Sequence, residues 1–464
     1  MLVLDRQSGV PLYEQIYSYI KSNIENGTLA AGIRLPSVRA LAGEIGVSKI
    51  TVEQAYVQLA AEGYLKSHDR APYEVLELPL NLETDSHRDG MSHFDTMLNL
   101  VQGLNTLSAP YNFATGAMDP EGFDYSRWKR YIGYVLRDPE RLMAYGNPQG
   151  ETELRMQLQG YLSAARGVTA EVEQIIVSSG TQPMAIAIAS LLKRAGFTTI
   201  GIEKEALGGI KIIFEDYGFT VVEIEQRSET LFDILEQASV EIVYCTPSHG
   251  DRSGSVMTVA RRKELLQWAQ QGKRYIIEDD YDSELRYYGR PISSLQGMSG
   301  VDRVIYVGTP SKVLPPSIRL SYMVLPPPLW LEFMQHRNTY KQSASVMEQL
   351  VWARFIEAGE WSKQIRRLRK HYADKSKLMV KFLHRAFGDT ITVKAPEGGV
   401  YISLVVHTKE SAQNLVTLAH HGGCDVRCGE VIDNGVQCVL SFSAIPTNKL
   451  ASAIEQLAKA WKGI

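Results

Sequence analysis

The stretch Val304–Leu325, VIYVGTPSKVLPPSIRLSYMVL, decides how the rest of the chain is read. Its apolar run Val304–Val307 ends abruptly at Gly308-Thr309-Pro310-Ser311, and Lys312 follows. A turn-rich LPPS and then Arg319 lead into a second apolar run. Lysine is rarely buried without a partner or a task, and a desolvated lysine is the side chain that forms Schiff bases with carbonyl compounds. The hydroxyls of Thr309 and Ser311 and the cation of Arg319 suit a nearby phosphate. Spacing alone leaves a solvated loop lysine as the other reading, so the neighbouring strands have to choose.

Strand-like runs recur on both sides: Gln174 to Val177, Thr199 to Ile202, Thr220 to Ile224, Glu241 to Cys245, Tyr275 to Glu278, Arg303 to Val307 and Ser321 to Leu325. Amphipathic helical patterns such as MAIAIASLLKRAG and RRKELLQWAQQG lie between most of them. This alternation predicts an α/β domain with a mostly parallel sheet, whose ligands sit beyond the carboxyl ends of the strands. After Val177 comes Ser178-Ser179-Gly180-Thr181-Gln182, small residues running into a helix N-terminus, which is a ready anion cradle. After the Tyr275 strand comes Glu278-Asp279-Asp280-Tyr281-Asp282. Such an acid cluster is solvated or metal-binding in the plain reading, or it offers one ionised carboxylate to a pyridinium nitrogen. Cradle, acid and lysine with arginine, each at a strand end, are more specific together than apart.

Their order resembles that of fold-type I pyridoxal-phosphate aminotransferases across nearly all of residues 112–464. The resemblance implies a large α/β domain and a small C-terminal α+β domain. It gives Lys312 as the Schiff-base lysine, Asp279 as the acid at the pyridine nitrogen and Tyr281 as the phenol near the cofactor's 3-hydroxyl. Gly180, Thr181 and Gln182 match the phosphate-binding turn, with Thr309 and Arg319 completing that shell. His249 in TPSH falls where aminotransferases carry a ring-contacting Asn, and Tyr145 in AYGNPQG resembles the residue that reaches the neighbouring subunit's phosphate. Glu397-Gly398-Gly399-Val400-Tyr401 resembles a small-domain strand motif lining the same cleft.

Residues 1–75 read as a separate helical module. Leu12, Ile16, Tyr19, Ile20 and Ile24 fall on one helical face that Asn26-Gly27 ends. Ser37 is placed to cap VRALAGEIG, and Ser48 to cap KITVEQAYVQLAAEG. YLKSHDRAPYEV then reads as two short strands around a turn. Three helices and a hairpin form a winged helix-turn-helix plan. Seven Lys and Arg stand against eight Asp and Glu here, so a DNA-binding face requires charge segregation, with Glu14, Glu25 and Glu53 turned away. An association module is the other reading of the pattern.

GIRLPSVRALAGEIGVSKITVEQAYVQLAAEGYL resembles the N-terminal domain of GntR-family transcription regulators. The resemblance implies DNA contacts from Arg34, Ser37, Arg39, Ser48, Lys49 and Thr51, with Arg70 in the wing. It departs at Lys49, where the family has arginine, and at Ala71-Pro72-Tyr73, which replaces the glycines of related wings. A GntR reader joined to an aminotransferase-like domain is the plan of the MocR/GabR subfamily, which IIEDDYDSE, YVGTPSK and SIRLSYMVLP also resemble. That subfamily implies double-stranded DNA, a small-molecule effector and a domain-swapped, head-to-tail homodimer.

Three departures bear on the effector. The loop Thr246–Gly254 reads TPSHGDRSG, and Arg252 in it is either a carboxylate contact or a solvent-facing loop cation. Leu207 replaces a ring-stacking aromatic, and Gly208-Gly209 stand where relatives that sense GABA have arginines. Asp433–Leu440 lacks the arginine with which aminotransferases hold a substrate carboxylate. The sequence therefore predicts a regulator that senses a small amino compound (an amino acid, D-amino acid or dipeptide) or pyridoxal phosphate itself. It predicts neither a GABA sensor nor an efficient transaminase. An active aminotransferase with an N-terminal association module is the alternative.

At 464 residues the chain has room for more than one domain. The boundaries expected are a reader at 1–75, a linker at 76–111 with a short helix around Phe94 to Leu104, and the cofactor domain at 112–464. A net charge of -3 gives no global field toward nucleic acid. Four cysteines and the lack of a leader or a long apolar run predict a reduced, cytoplasmic chain. Cys424 and Cys428 lack further ligands at zinc spacing, so no metal is expected. The basic run Lys363–Lys370 reads as a solvated helix face or as an extra DNA contact.

Overall fold

In the computed structural model, the structure describes residues 4–6, 8–68, 71–77, 109–203, 208–226, 228–248, 256–287, 292–300, 302–337, 339, 341–394, 398–432 and 435–463. The chain divides into two compact units, Met1–Thr106 and Leu107–Ile464.

In the first unit, helices α1 (Leu12–Glu25), α2 (Val38–Glu44) and α3 (Lys49–Ala61) precede a hairpin of β1 (Leu65–His68) and β2 (Ala71–Val75). Ile16, Ile20 and Ile24 recur at four-residue spacing and are buried against Val52, Ala55, Tyr56 and Leu59 of α3. Tyr19, expected on that face, is exposed, and Tyr17 packs on the core instead. Both predicted serine caps form: Ser37 accepts from the Ala40 amide at 3.1 Å and Ser48 from the Thr51 amide at 3.2 Å. A cap of this kind contributes about 1 kcal/mol. The Tyr56 hydroxyl donates to the Pro36 carbonyl at 3.0 Å and ties α3 to the turn before α2.

The second unit begins with β3 (Tyr111–Asn112) and centres on a seven-stranded sheet. Its strands are β4 (Ile175–Ser178), β5 (Thr199–Glu203), β6 (Thr220–Ile224), β7 (Ile242–Cys245), β8 (Tyr275–Asp280), β9 (Val304–Gly308) and β10 (Ser321–Val324), in the spatial order β4-β10-β9-β8-β7-β5-β6. β10 runs antiparallel to both its neighbours, and the other pairings are parallel. Side chains alternate between two helix-covered faces: Ile242, Ile277 and Ile305 join one apolar cluster, while Val243, Ile276 and Val304 join the other. A second, antiparallel sheet orders β11 (Ile391–Val393), β12 (Tyr401–Val406), β15 (Gly435–Ser441) and β14 (Arg427–Ile432), while β13 (Cys424–Asp425) pairs with β3.

One sequence expectation is corrected here. Cys428 and Cys438 stand opposite each other in the β14–β15 register and are joined as a disulfide; Cys245 and Cys424 are free and buried. Hairpin register places two cysteines ten residues apart side by side, which the count of cysteines does not reveal.

Candidate functional site

Lys312 follows β9 and is half-buried. Its Nζ donates to the Gly116 carbonyl at 2.6 Å and lies 5.7 Å from the centre of the Tyr401 ring. Desolvation holds its pKa below the usual lysine value; Asp282 opposes that shift and Arg427 adds to it. A lowered amine pKa leaves more of the neutral, nucleophilic form near neutrality. Gly116 is required by this closeness, because a Cβ there would lie 2.2 Å from the Tyr401 hydroxyl and 2.5 Å from Lys312 Nζ.

The acids at the end of β8 divide by strand alternation. Glu278 accepts from the amides of Leu295 at 2.8 Å and Gln296 at 3.0 Å, so it caps a short helix. Asp280 pairs with buried Arg166 at 2.7 Å and accepts from the Tyr306 hydroxyl at 2.5 Å. Asp279 accepts from the Tyr244 hydroxyl at 2.5 Å through Oδ2, while Oδ1 is buried with no hydrogen-bond partner. Burial pushes the Asp279 carboxyl up to about 6, against the lowering effect of Tyr244. Tyr281 adjoins Asp279 electrostatically and also feels Asp282 and Tyr401; its phenol is raised mainly by burial. One cleft therefore holds Asp279, Tyr281, Tyr401 and Lys312.

The anion cradle forms because Ser178 and Ser321 pair across β4 and β10. Gly180, at φ 104°, precedes the helix Thr181–Arg194, and a Cβ there would meet Arg319 Nη2 at 2.3 Å. Arg319 thus lies across the helix N-terminus. It adopts a left-handed φ of 54°, uncommon for a side chain other than glycine. Thr309 is buried, and its hydroxyl contacts Ser311 Oγ at 2.8 Å and the Leu320 carbonyl at 3.1 Å. Thr181 is half-buried, and the exposed Gln182 carries its amide beside Gly209. Tyr145 is fully exposed and is not brought to the cleft of its own chain. His249, Leu207, Arg252 and Glu397 lie outside the described residues, as do Arg70, Asp433, Asn434 and the connector helix around Phe94 to Leu104.

Sequence reasoning passed over three participants. Tyr244 and Gly116 reach the site only through the fold, while Asp282, the last residue of the acid cluster, acts on Lys312. Arg427, on β14, lies near enough to lower the pKa of both Lys312 and Tyr401, and no hydrogen bond or ion pair engages it among the described residues. It pairs in register with Val439 of the strand where an arginine was sought. The basic run Lys363–Lys370 is largely tied down: Lys363 pairs with Glu360 at 2.9 Å, Arg367 donates to the Gly122 carbonyl at 3.1 Å, and Arg369 donates to the Glu284 carbonyl.

In the first unit, Arg34, Ser37, Arg39, Ser48 and Lys49 are exposed and Thr51 is half-buried. The hydroxyls of Ser48 and Thr51 are 2.7 Å apart, so both are engaged in starting α3. Ile50, at 67% exposure, projects from the same turn. Glu25 is drawn aside by the Tyr64 hydroxyl at 2.6 Å. Glu53 is exposed one turn from Lys49 and shares its face, contrary to the expected segregation.

Residues 12–75 match the family described as bacterial regulatory proteins, gntR family, and residues 111–436 match aminotransferase class I and II. The chain is 37% identical over 423 residues to the Uncharacterized HTH-type transcriptional regulator YhdI of Bacillus subtilis (strain 168), covering 90% of this chain and 88% of that one. It is 31% identical over 412 residues to the Probable rhizopine catabolism regulatory protein MocR of Rhizobium meliloti, covering 87% and 83%. The chain belongs to the MocR-like branch of the GntR regulators. It is thus a transcription regulator with a DNA-binding reader and an aminotransferase-like domain whose cofactor is pyridoxal phosphate. In fold, the second unit is similar to Pyrococcus horikoshii kynurenine aminotransferase, with a TM-score of 0.67 at 23% identity over 82% of this chain and 98% of that one. Among the described residues no helix is long and apolar enough to cross a membrane.

Proposed function

We propose that the Lys312 cleft is a sensor, in which pyridoxal phosphate is the contact point for an amino effector that alters DNA binding. The observation carrying this reading is the buried, unpartnered Asp279 Oδ1. A carboxylate oxygen without a partner is costly inside a protein, and a pyridinium N–H would satisfy it. When bound, the cofactor supplies an electrophilic carbon to amines. Lys312 is its anchor, its amine kept partly neutral by burial. Tyr281 faces the 3-hydroxyl, and His249 the ring. Gly180, Thr181, Gln182, Thr309 and Arg319 hold the phosphate, helped by the helix N-terminus. Tyr145 completes that shell from a partner subunit in a head-to-tail, domain-swapped homodimer.

The effector is a small amino compound (an amino acid, D-amino acid or dipeptide) or pyridoxal phosphate itself. Arg427 gives a carboxylate-bearing effector a cation from β14, in place of the arginine expected on β15. That displacement favours a sensor over an efficient transaminase, leaving at most a half-reaction. Effector occupancy shifts the population of cleft states and with it the spacing of the two readers on their half-sites. In each reader, Arg34 and Arg39 position the module on phosphates, while Ser48, Lys49 and Thr51 start the helix that meets base edges, with Arg70 in the wing.

A spectral titration of the cofactor-loaded protein with amines, D-amino acids and dipeptides tests the reading. At least one should change the visible cofactor band saturably and also alter DNA affinity, while GABA should not act at micromolar concentration. Rapid catalytic turnover of an amino donor, with no change in DNA affinity, would favour the enzyme reading.

A further inference from the structure

The start of α3 presents an apolar side chain and an acid where a purely basic surface was expected. Val52, Ala55, Tyr56 and Leu59 are the buried residues of this helix. At about 100° per residue, the line opposite them runs through Ile50 and Val57, exposed at 67% and 53%, with Glu53 and Gln54 on its two flanks. The hydroxyls beside them are occupied: Ser48 and Thr51 meet at 2.7 Å, and Ser48 also accepts from the Thr51 amide. Within residues 49–53 this leaves Lys49, Ile50 and Glu53 free.

Neither Ile50 nor Glu53 has a task inside the reader. Ile50 is not part of its apolar core. Glu53 lies beyond the first helical turn, where an acid would favour the helix dipole. Lys49 precedes it by four residues, the weaker order for an ion pair, and neither has a hydrogen bond or ion pair among the described residues. Glu62, at the other end of α3, is by contrast held by the Tyr17 hydroxyl and the Gln58 amide, each at 2.6 Å. A free carboxylate turned toward DNA is repelled by phosphates, so only a donor on the bases can offset it. In the major groove the cytosine N4 amine is such a donor; guanine and thymine offer acceptors, and adenine sets its N7 acceptor beside its amine. The apolar group in that groove is the thymine methyl, which an exposed isoleucine fits.

We propose that Ile50 and Glu53 set the operator sequence: in each half-site Ile50 packs on a thymine methyl, and Glu53 accepts from the N4 amine of a cytosine. This rests on the reading of α3 as the helix that meets base edges. The two residues are about 4.5 Å apart along the helix axis, against about 3.4 Å per base step, so the thymine and the cytosine belong to neighbouring base pairs. The acid selects by exclusion as well as by attraction. On any other sequence it stands unpaired among phosphates and weakens the complex.

The test uses the cofactor-loaded full chain, duplexes selected from a randomised pool, and fluorescence anisotropy. Selected half-sites should carry a thymine and a cytosine at fixed neighbouring positions. Replacing that thymine by uracil, which removes only the methyl, should weaken binding about fourfold, and Ile50→Ala should bind the two duplexes alike. Glu53→Gln should move the preference at the cytosine to adenine, whose N6 and N7 a glutamine amide matches. Glu53→Ala should lose that preference and bind random-sequence DNA more tightly than the parent. Both side chains are exposed and unbonded, so the variants should keep the parent's Tm. Equal binding of thymine and uracil duplexes by the parent, a cytosine preference that survives Glu53→Ala, or equal weakening of all sequences by either alanine variant would overturn the proposal. A pool that yields no preferred sequence would overturn the reading of α3 itself.

Discussion

Replacing Tyr244 by phenylalanine keeps a buried ring and removes one proton donor from Asp279. The hydroxyl lies 2.5 Å from Oδ2, and a hydrogen bond to a charged group contributes about 1.5–3 kcal/mol. At about 1.36 kcal/mol per pKa unit, a loss of about 2 kcal/mol raises the carboxyl by roughly 1.5 units. From about 6 in the cofactor-free protein, Asp279 would move to roughly 7.5. Pairing with a pyridinium requires the ionised acid, so cofactor affinity scales with the ionised fraction. At pH 6 that fraction drops from about one half to about 3%, a loss of roughly 16-fold; near pH 7 the loss is about fourfold, and by about pH 9 it disappears. Titrating cofactor-free parent and Tyr244→Phe with pyridoxal phosphate at these three pH values measures the ratio directly. A ratio near one at pH 6, or a ratio independent of pH, would refute the assignment of Asp279 to the pyridine nitrogen.

Four more outcomes follow from the same geometry. Lys375, 1% exposed, reaches Asp119 at 2.6 Å beside His371 at 2.7 Å, so Lys375→Met should cost about 1.5–3 kcal/mol in chemical denaturation by removing one of the two side-chain partners of a buried carboxylate. Gly180→Ala should weaken cofactor binding, measured by fluorescence, because its Cβ meets Arg319 and the backbone is left-handed. Removing the α3 cap by Ser48→Ala should lower reader stability by about 1 kcal/mol and weaken DNA binding in an anisotropy assay. Glu278 is pushed up to about 7 and Asp279 to about 6, both by burial, so the folded protein holds protons that the unfolded chain releases. Stability of the cofactor-free form should therefore fall as pH rises from the ordinary carboxylate range toward about 7, by at most about 1.36 kcal/mol per unit per group. Glu278→Gln should flatten that slope in urea melts.

All seven strands of the large sheet were legible: six are buried along nearly all their length and read as apolar runs, while the edge strand β6, with one buried residue of five, is marked by its β-branched Thr220-Val221-Val222. The reversed direction of β10 was not, since strand pattern carries no direction. The smaller sheet was harder to see: β12 alternates buried and half-buried residues, and its edges dilute the apolar signal. At the site, residues close in sequence were readable and distant ones were not. Lys312, Arg319 and the Gly180 turn announce themselves at strand ends. The acid cluster did not reveal that Glu278 caps a helix or that Asp280 meets Arg166 through Oδ2; Asp279 and Asp280 each keep a buried Oδ1 without a partner, and Asp279 is the one of the two on the Tyr244 side of the sheet, in the cleft with Tyr281 and Lys312. Tyr244, Gly116 and Arg427 arrive from other strands and segments, as does Cys438 opposite Cys428, and only register brings them together. In the reader, caps were visible as serines before apolar periods, while the outward face of Glu53 depended on its being four residues from Lys49.

The central claim is that the Lys312 cleft governs a DNA reader. Its most direct test is the affinity of the full chain for the DNA flanking its own coding region, measured with and without an effector found by spectral titration. The account predicts sequence-specific binding that Arg39→Ala weakens, and a shift in affinity on effector addition that Lys312→Ala removes. Sequence-specific binding that is absent, or that stays the same while the cleft fills, would contradict it.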